Sequence, residues 1–471
     1  MKSRLFATAA ALVLAVPAMA QMTITPMGPL RPDQRQFFEL YKELVETDTS
    51  PTTGNCTTAA AQVAARMKAA GFADEQLTLF SVPEFPKDGG LVAVLPGTSK
   101  TLKPMLLLAH IDVVVANRAD WERDPYKLVE ENGYYYARGI LDDKFQSAVY
   151  ADALIRLKQA GFTPQRTIKL ALTCGEETDT AWNGAEYLAS QRRELIDAEF
   201  ALNEGGGGRT DGNPSGKGGK LMVQTIQVGE KVYQDYKLTV TNPGGHSSQP
   251  VPRNAIYDMA RALEKIAAHS FPAEFSDTTR VFFAKAGAMR GDETGRAMVA
   301  LTRNLGDPSA MAVVNRDKAL HSMLRTTCVA TTIDGGHAVN ALPQRVEANV
   351  NCRIFPGHTP AEIKDQLASI IGNDQIAIRY GRDDKPLAKP PALDPRLIGP
   401  MERLAAKHFP GVPAIPAMST GATDAVYTGG AGIPTYGVPS AWSDPDGNGT
   451  HGLNERLEIK GVYTGRDYLF D

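Results

Sequence analysis

Apolar residues recur along the chain in two rhythms. Phe37, Phe38, Leu40, Tyr41, Leu44 and Val45 fall on one face at helical spacing, which predicts a helix over Gln34–Glu46. Thr58–Ala70 predicts a second helix, closed by Gly71. Short continuous apolar runs follow at Leu91–Leu95, Met105–Ala109, Thr167–Thr173 and Phe200–Asn203, with helical patterns at Asp143–Ala160 and Asn183–Arg193 between them. Alternating strands and helices predict an α/β domain on a largely parallel sheet. An unbroken run such as MLLLA is what a strand buried on both faces requires.

The rhythm changes after a glycine-rich stretch, Gly205–Gly219, which predicts a loop. Tyr233–Val240 alternates as a strand does, and Arg253–Ala268 has helical spacing. Arg325–Ile333 and Arg345–Ile354 read as strands, Pro360–Ile371 as a helix and Ile376–Tyr380 as a strand. These make a compact α+β unit inserted into the larger domain, which resumes with a helix at Pro395–His408. The expected division is 21–230 and 385–471 for the larger domain and 231–384 for the insert. No internal repeat is visible.

Composition narrows the function classes. With 50 Lys and Arg against 53 Asp and Glu, the net charge is −3, so the basic footprint of a nucleic-acid binder is missing. Lys2 and Arg4, the apolar run Leu5–Val16 and the small residues of Pro17-Ala18-Met19-Ala20 predict a secretory signal peptide over residues 1–20, cleaved after Ala20. That form of signal suggests a bacterial periplasm or the exterior. The run is short for a span of about 20 apolar residues, and no later stretch approaches that length, so no membrane partner is expected. Four Cys are too few and too scattered for a Cys-rich zinc module. Cys328 and Cys352 would face each other if their two strands pair as a hairpin centred near Asn340. In an exported protein they are a disulfide or two buried free thiols, and the sequence leaves both open.

The candidate chemistry sits at the ends of the predicted strands, where open α/β sheets bind ligands. His110 follows Met105–Ala109, with Asp112 two residues on; Asp142-Asp143-Lys144 opens a helix; Glu176-Glu177 follows a strand; Glu204 follows another; His451 lies in GTHGLNE. Each alone has a structural reading, such as a hydrogen-bonded His or an N-capping Asp. Five acid or imidazole positions at the strand ends of one domain point to a metal site. A neutral imidazole is a good Zn ligand, and a carboxylate on its other nitrogen fixes the tautomer. Two adjacent glutamates can divide the work, one ligating metal and one taking a proton.

The segments LLAHIDVV, YYYARGILDDK, TCGEETDT, LNEGGGG, NPGGHSSQP, GGHAVNALPQ with NCRIFPG, and GTHGLNERL resemble, in order and spacing, the M20 family of metallo-aminoacylases and carboxypeptidases. The resemblance covers nearly the whole mature sequence. VQTIQVGEK before GGHSS looks most like the carboxypeptidase S and N-acyl-amino-acid hydrolase branch. It implies a di-zinc aminopeptidase-like catalytic domain with an inserted α+β lid and dimerisation domain. It further implies two divalent metals, usually Zn, with Asp142 between them. His110 and Glu204 would complete one position, and Glu177 and His451 the other. Glu176 would be the general base on the attacking water, and Asp112 would orient His110.

By the same resemblance His246 would stabilise the tetrahedral oxyanion, often across a dimer, and Asn340 would bind substrate. Arg353 would clamp a substrate carboxylate, a role suited to its bidentate geometry. Thr423, in GATD, belongs to a substrate-contacting loop. One departure stands out: the family follows its Asp-Asp-Lys or Asp-Met-Lys element with Gly, where this chain has Phe145-Gln146. That bears on local helix packing or pocket shape. His269, His321, His337, His358 and His408 read as structural. The implied function is hydrolysis of peptides or N-acyl amino acids with a free carboxylate. The same scaffold also hosts dipeptidases and aminopeptidases. A non-catalytic peptide-binding relative is the reading from another class, and the complete ligand set with Glu176 argues against it.

Overall fold

The computed structural model describes residues 28–178, 182–212, 219–381, 386–438 and 441–471. The expected export signal at residues 1–20 lies outside the described residues, as does the middle of the glycine-rich stretch. Among the described residues, no helix is long and apolar enough to cross a membrane.

The first two predicted helices form at Pro32–Glu46 and Cys56–Ala69. Pro32 opens the first, where its missing N–H costs nothing. Asn55 caps the second by accepting from the N–H of Thr58. With Lys144–Gln159 they bury Phe37, Tyr41, Leu44, Val63, Met67, Phe145 and Leu154 in one core against the main sheet.

That sheet has ten strands. Met105–His110 lies at its centre, parallel to Ile168–Thr173 on one side and Phe200–Asn203 on the other. Thr435–Gly437 continues the parallel run. Phe85–Leu95 and Leu77–Val82 complete one flank antiparallel. On the far flank Leu221–Glu230 pairs parallel with Ala414–Ser419 and antiparallel with Gly207–Thr210. The sheet is thus parallel across its centre. Three central strands therefore deliver their carboxyl ends, and the residues that follow them, to one edge.

The glycine-rich stretch is in part a strand, not a loop. Gly207–Thr210 pairs with Leu221–Glu230 and with Trp442–Ser443. The indole of Trp442 lies on Gly208, where a Cβ would come within 2.2 Å of it. Close approach of another group, rather than slack, accounts for this glycine.

A second, four-stranded antiparallel sheet runs Thr327–Gly335, Arg345–Ile354, Val232–Thr241, Ile376–Tyr380. Its alternating residues Tyr236, Leu238, Val240, Val346, Ala348 and Val350 pack with Met259, Ala262, Ile266, Ile363 and Leu367 of the helices Ala255–Ala268 and Pro360–Ile371. The strand expected from Arg325 begins at Thr327. Four further helices, Asp277–Arg290, Glu293–Arg303, Pro308–Val314 and Lys318–Met323, fill a stretch where the apolar rhythm gave no element. Each begins at a capping side chain, Ser276, Asp292, Asp307 or Asp317.

All four cysteines are paired. Cys328 and Cys352 are register partners on neighbouring strands and form a disulfide, so the free-thiol reading does not hold. Cys56 and Cys174, 118 residues apart, form a second. It joins the start of the Cys56–Ala69 helix to the segment that carries Glu176 and Glu177.

Candidate active site

His110 ends the central strand and is 2% exposed. Its Nδ1 lies 3.1 Å from the backbone carbonyl of Asp112 and 3.5 Å from that residue's carboxylate. Both partners only accept, so Nδ1 carries a proton and Nε2 points into the site. There Nε2 is 3.2 Å from Asp142 Oδ1 and 3.6 Å from Glu204 Oε2.

Asp142 sits just before the Lys144–Gln159 helix, and its two oxygens face different imidazoles. Oδ1 meets His110, and Oδ2 lies 3.1 Å from His451 Nε2. The same His451 nitrogen is 3.0 Å from Glu177 Oε2. Glu177 in turn donates its backbone N–H to Asp112 Oδ2 at 3.0 Å. The turn before the glutamates uses Gly175 at φ +95°, where a Cβ would come within 2.1 Å of the Trp182 carbonyl. Glu204 follows Phe200–Asn203, and its Oε1 is buried with no hydrogen-bond partner.

Burial works on the glutamates and on Asp142. It drives Glu176 well above the usual carboxylate range, with Glu204 adding repulsion. It lifts Glu204 to about 7 and raises Glu177. At Asp142 burial pushes up, but hydrogen bonds from His110 and His451 outweigh it and hold the acid below its ordinary value. His451, bonded to Asp142 and Glu177, is pushed up to about 10. Four carboxylates converge here with a buried His110 and a more exposed His451, and such a crowd of acids is stable in its ionised form only beside cations. Ligand atoms of His110, Glu176 and Glu204 lie within 4.8 Å of one another, as do those of His110, Asp142 and Glu177. The unpartnered Glu204 Oε1 and the split orientation of Asp142 fit metal ligation. Nitrogen and oxygen donors without thiolate suit Zn or a similar divalent ion.

A cleft opens beside Glu176, lined by Lys231, Tyr233, Thr423, Asp424 and Tyr427. The Arg353 guanidinium stacks 4.5 Å from the centre of the Tyr233 ring. Thr423 donates to Glu230 Oε2 at 2.9 Å and accepts from Asn203 Nδ2 at 3.2 Å, which ties the cleft wall to the residue before Glu204.

The structure thus brings His110, Asp112, Asp142, Glu176, Glu177, Glu204 and His451 together, with Thr423 in the cleft wall and Arg353 stacked on the cleft residue Tyr233. His246 and Asn340 sit elsewhere. Gly245–His246 pairs with Ala341–Leu342, and Ser247 N–H donates to the Asn340 carbonyl at 3.0 Å. Both residues are exposed, and His246 Nδ1 accepts from the Ser248 N–H. Within one chain they meet each other rather than the acidic cluster.

Phe145, in place of the family's glycine, packs edge-on against Phe37 and Tyr41, and Gln146 donates to the Tyr150 hydroxyl at 2.8 Å. The helix therefore absorbs the bulk in its core face. His358 pairs with Glu274 and His408 with Asp471, consistent with structural roles.

Sequence reasoning gave no individual role to two buried acids beside the site. Asp424 is buried and accepts from Asn183 Nδ2 at 2.8 Å and the Thr173 hydroxyl at 3.0 Å; burial lifts it to about 6. Glu455 is fully buried under the loop that carries Asp142. Both lie inside the motifs GATD and GTHGLNERL, so the signal was present, but nothing local separates them from surface acids.

A family model for "Peptidase family M20/M25/M40" matches residues 106–471. Mouse "N-fatty-acyl-amino acid synthase/hydrolase PM20D1" is 26% identical over 382 residues, covering 80% of this chain and 75% of the relative. "Probable carboxypeptidase S-like 2" of Dictyostelium discoideum is 28% identical over 371 residues, covering 77% and 70%. A solved M20 family metallo-carboxypeptidase from Sulfolobus solfataricus has the same fold, with a TM-score of 0.68 at 18% identity over 93% of this chain and 98% of that one. The chain therefore belongs to the peptidase family M20/M25/M40 and is a hydrolytic enzyme of that metal-dependent family.

Proposed function

We propose that the protein is a dinuclear zinc hydrolase of peptide or N-acyl amide bonds, acting on substrates with a free C-terminal carboxylate. The observation that carries this reading is the split orientation of Asp142, one oxygen toward His110 and the other toward His451. His110, Asp142 and Glu204 would hold one ion; Asp142, Glu177 and His451 would hold the other. Ions bound there would supply Lewis-acid polarisation of the scissile carbonyl and a water acidic enough to react near neutral pH.

The remaining work falls to this chain's side chains. Glu176 stands in the cleft wall with its carboxyl raised by burial, suited to take a proton from the attacking water and pass it to the leaving nitrogen. Asp112 fixes the His110 ring and, through the Glu177 N–H, the turn carrying both glutamates. Arg353, its guanidinium plane held on Tyr233, would bind the substrate carboxylate. The names of the relatives, an N-fatty-acyl-amino acid hydrolase and a carboxypeptidase S-like protein, support substrates of that type.

His246 and Asn340 would complete the site after closure of the 231–384 unit, or from a second copy. Val329 and Ile333 are each 60% exposed on the outer strand of the second sheet, which supports a homodimer through that face. Two disulfides support the reading of residues 1–20 as an export signal and a periplasmic or secreted location. The test is Zn2+ stoichiometry together with turnover of an N-acyl amino acid. Two ions per chain and a turnover that Glu176→Gln abolishes are expected. One ion or none, or an unaffected rate, would contradict the proposal.

A further inference from the structure

The proposed mechanism gives no role to the buried ion pair between Glu455 and Arg138. Glu455 is 0% exposed and Arg138 2%. Glu455 Oε1 accepts from the backbone N–H of Leu141 at 3.0 Å and of Asp142 at 3.1 Å. Its Oε2 accepts from the Gly139 N–H at 3.0 Å and from Arg138 Nη1 at 2.8 Å. Four donors thus converge on one carboxylate. The loop is wrapped tightly around it: Gly139 has φ +75°, and a Cβ there would come within 2.5 Å of the Val113 side chain.

Arg138 reaches the other way with its second nitrogen. Nη2 donates to the carbonyl of Gly452 at 2.7 Å, one residue beyond His451. The guanidinium also sits 5.1 Å from the centre of the Trp121 ring, which fixes its plane. Glu455 lies four residues after His451 in the same loop. One end of this assembly therefore holds the backbone of Asp142, and the other holds the backbone beside His451. These two residues are distant in sequence, yet their side chains meet at 3.1 Å.

We propose that Glu455 and Arg138 form a positioning clasp that sets the separation of Asp142 and His451, and so tunes the metal position those two share with Glu177. The inference rests on the dinuclear reading above. It requires a carboxylate at 455. A glutamine offers one acceptor oxygen, and its NH2 would face the N–H donors of Gly139 and Arg138, donor against donor. Partners that orient metal ligands change metal affinity by about 10- to 100-fold when removed.

The test is a Zn2+ titration against a competing chelator on the full chain, with thermal unfolding of the metal-free protein alongside. Glu455→Gln is expected to weaken the Zn2+ affinity of the position shared with Glu177 and His451 by about 10- to 100-fold, and that of the other, which shares only Asp142, by clearly less. Arg138→Lys keeps the charge but cannot reach both Glu455 and Gly452, and should weaken the same position less. Asp152→Asn is the control: it breaks a different buried pair, with Arg466 at 2.8 Å, and should lower stability without moving either affinity. The Co2+ form adds a second readout, since the visible bands of one position should shift in Glu455→Gln. Unchanged affinities and bands in a folded Glu455→Gln overturn the clasp. If that variant does not fold, unchanged affinities in Arg138→Lys overturn it. Fewer than two Zn2+ bound by the unaltered protein would instead overturn the dinuclear reading.

Discussion

Asp112 accepts the backbone N–H of Glu177 at 3.0 Å, so the residue that orients His110 also fixes the turn bearing both glutamates. Two strand ends are thereby locked to each other through one buried carboxylate. Replacing Asp112 with Ala should disturb both at once. We expect Zn2+ affinity to fall by about 10- to 100-fold, with the fold retained, as measured by competitive chelation and circular dichroism. An affinity equal to that of the unaltered protein would contradict this role.

Glu176 makes a separate prediction. Glu176→Gln should keep its metal content, because none of the five proposed ligands is altered, and lose about 10²- to 10⁴-fold in kcat. Metal analysis and steady-state kinetics on the same sample decide it. Substantial turnover with full metal would remove Glu176 from the role of base.

Arg353 should act on one end of the substrate only. Arg353→Ala should raise KM for a substrate with a free carboxylate by about 10- to 100-fold, in line with loss of a charge-assisted hydrogen bond. An amidated substrate should be poor for both proteins and change little between them. Equal losses on both substrates would point to general damage to the Tyr233 wall.

Lys231, in the cleft wall, carries a pH signature of its own. It is 1% exposed and donates to Thr327 Oγ1 at 2.9 Å and to Ser322 at 3.1 Å. Burial, with Arg353 and Arg325 near, pushes its ammonium down to about 7 from an ordinary 10.5. Between those values the unfolded chain holds a proton that the native state has released. Stability from this group is therefore present above about 10.5 and is lost as pH falls through 7. The difference in unfolding free energy between the unaltered protein and Lys231→Met should grow, in favour of the unaltered protein, from pH 7 to 10. A difference that does not change with pH would contradict this.

The two disulfides should differ in weight. Cys56–Cys174 closes 118 residues and Cys328–Cys352 closes 24. Loop-closure entropy makes the first worth about 5 kcal/mol and the second about 3 kcal/mol. Paired Cys→Ser variants should lower Tm in that order. The reverse order would show that native contacts, rather than chain entropy, set their value.

The parallel centre of the sheet was legible because buried strands are uniformly apolar, as in Met105–Ala109. The acidic cluster was legible because His110, Glu176, Glu177 and Glu204 lie at or just past the ends of such strands, Asp142 lies just before a helix, and His451 sits in the motif GTHGLNE. Ile376–Tyr380 and Pro395–His408 emerged with the expected bounds. The four helices from Asp277 to Met323 were not legible: the last two are short, and in Asp277–Arg290 the buried face sets Phe283 among Thr278, Thr279 and Gly287. Gly207–Thr210 read as a loop because composition alone does not show that Trp442 needs a glycine beneath it. Cys56–Cys174 and the contacts of Glu455 with Asp142 join residues far apart in the chain. Local pattern carries no trace of such pairings.

The most direct test is a mass-spectrometric hydrolysis assay on the Zn-loaded protein. The panel holds dipeptides and N-acyl amino acids, each with a free or amidated C-terminus and a free or blocked N-terminus. The account predicts cleavage that requires the free carboxylate and tolerates a blocked amine. Cleavage that requires a free amine and ignores the carboxylate would contradict it.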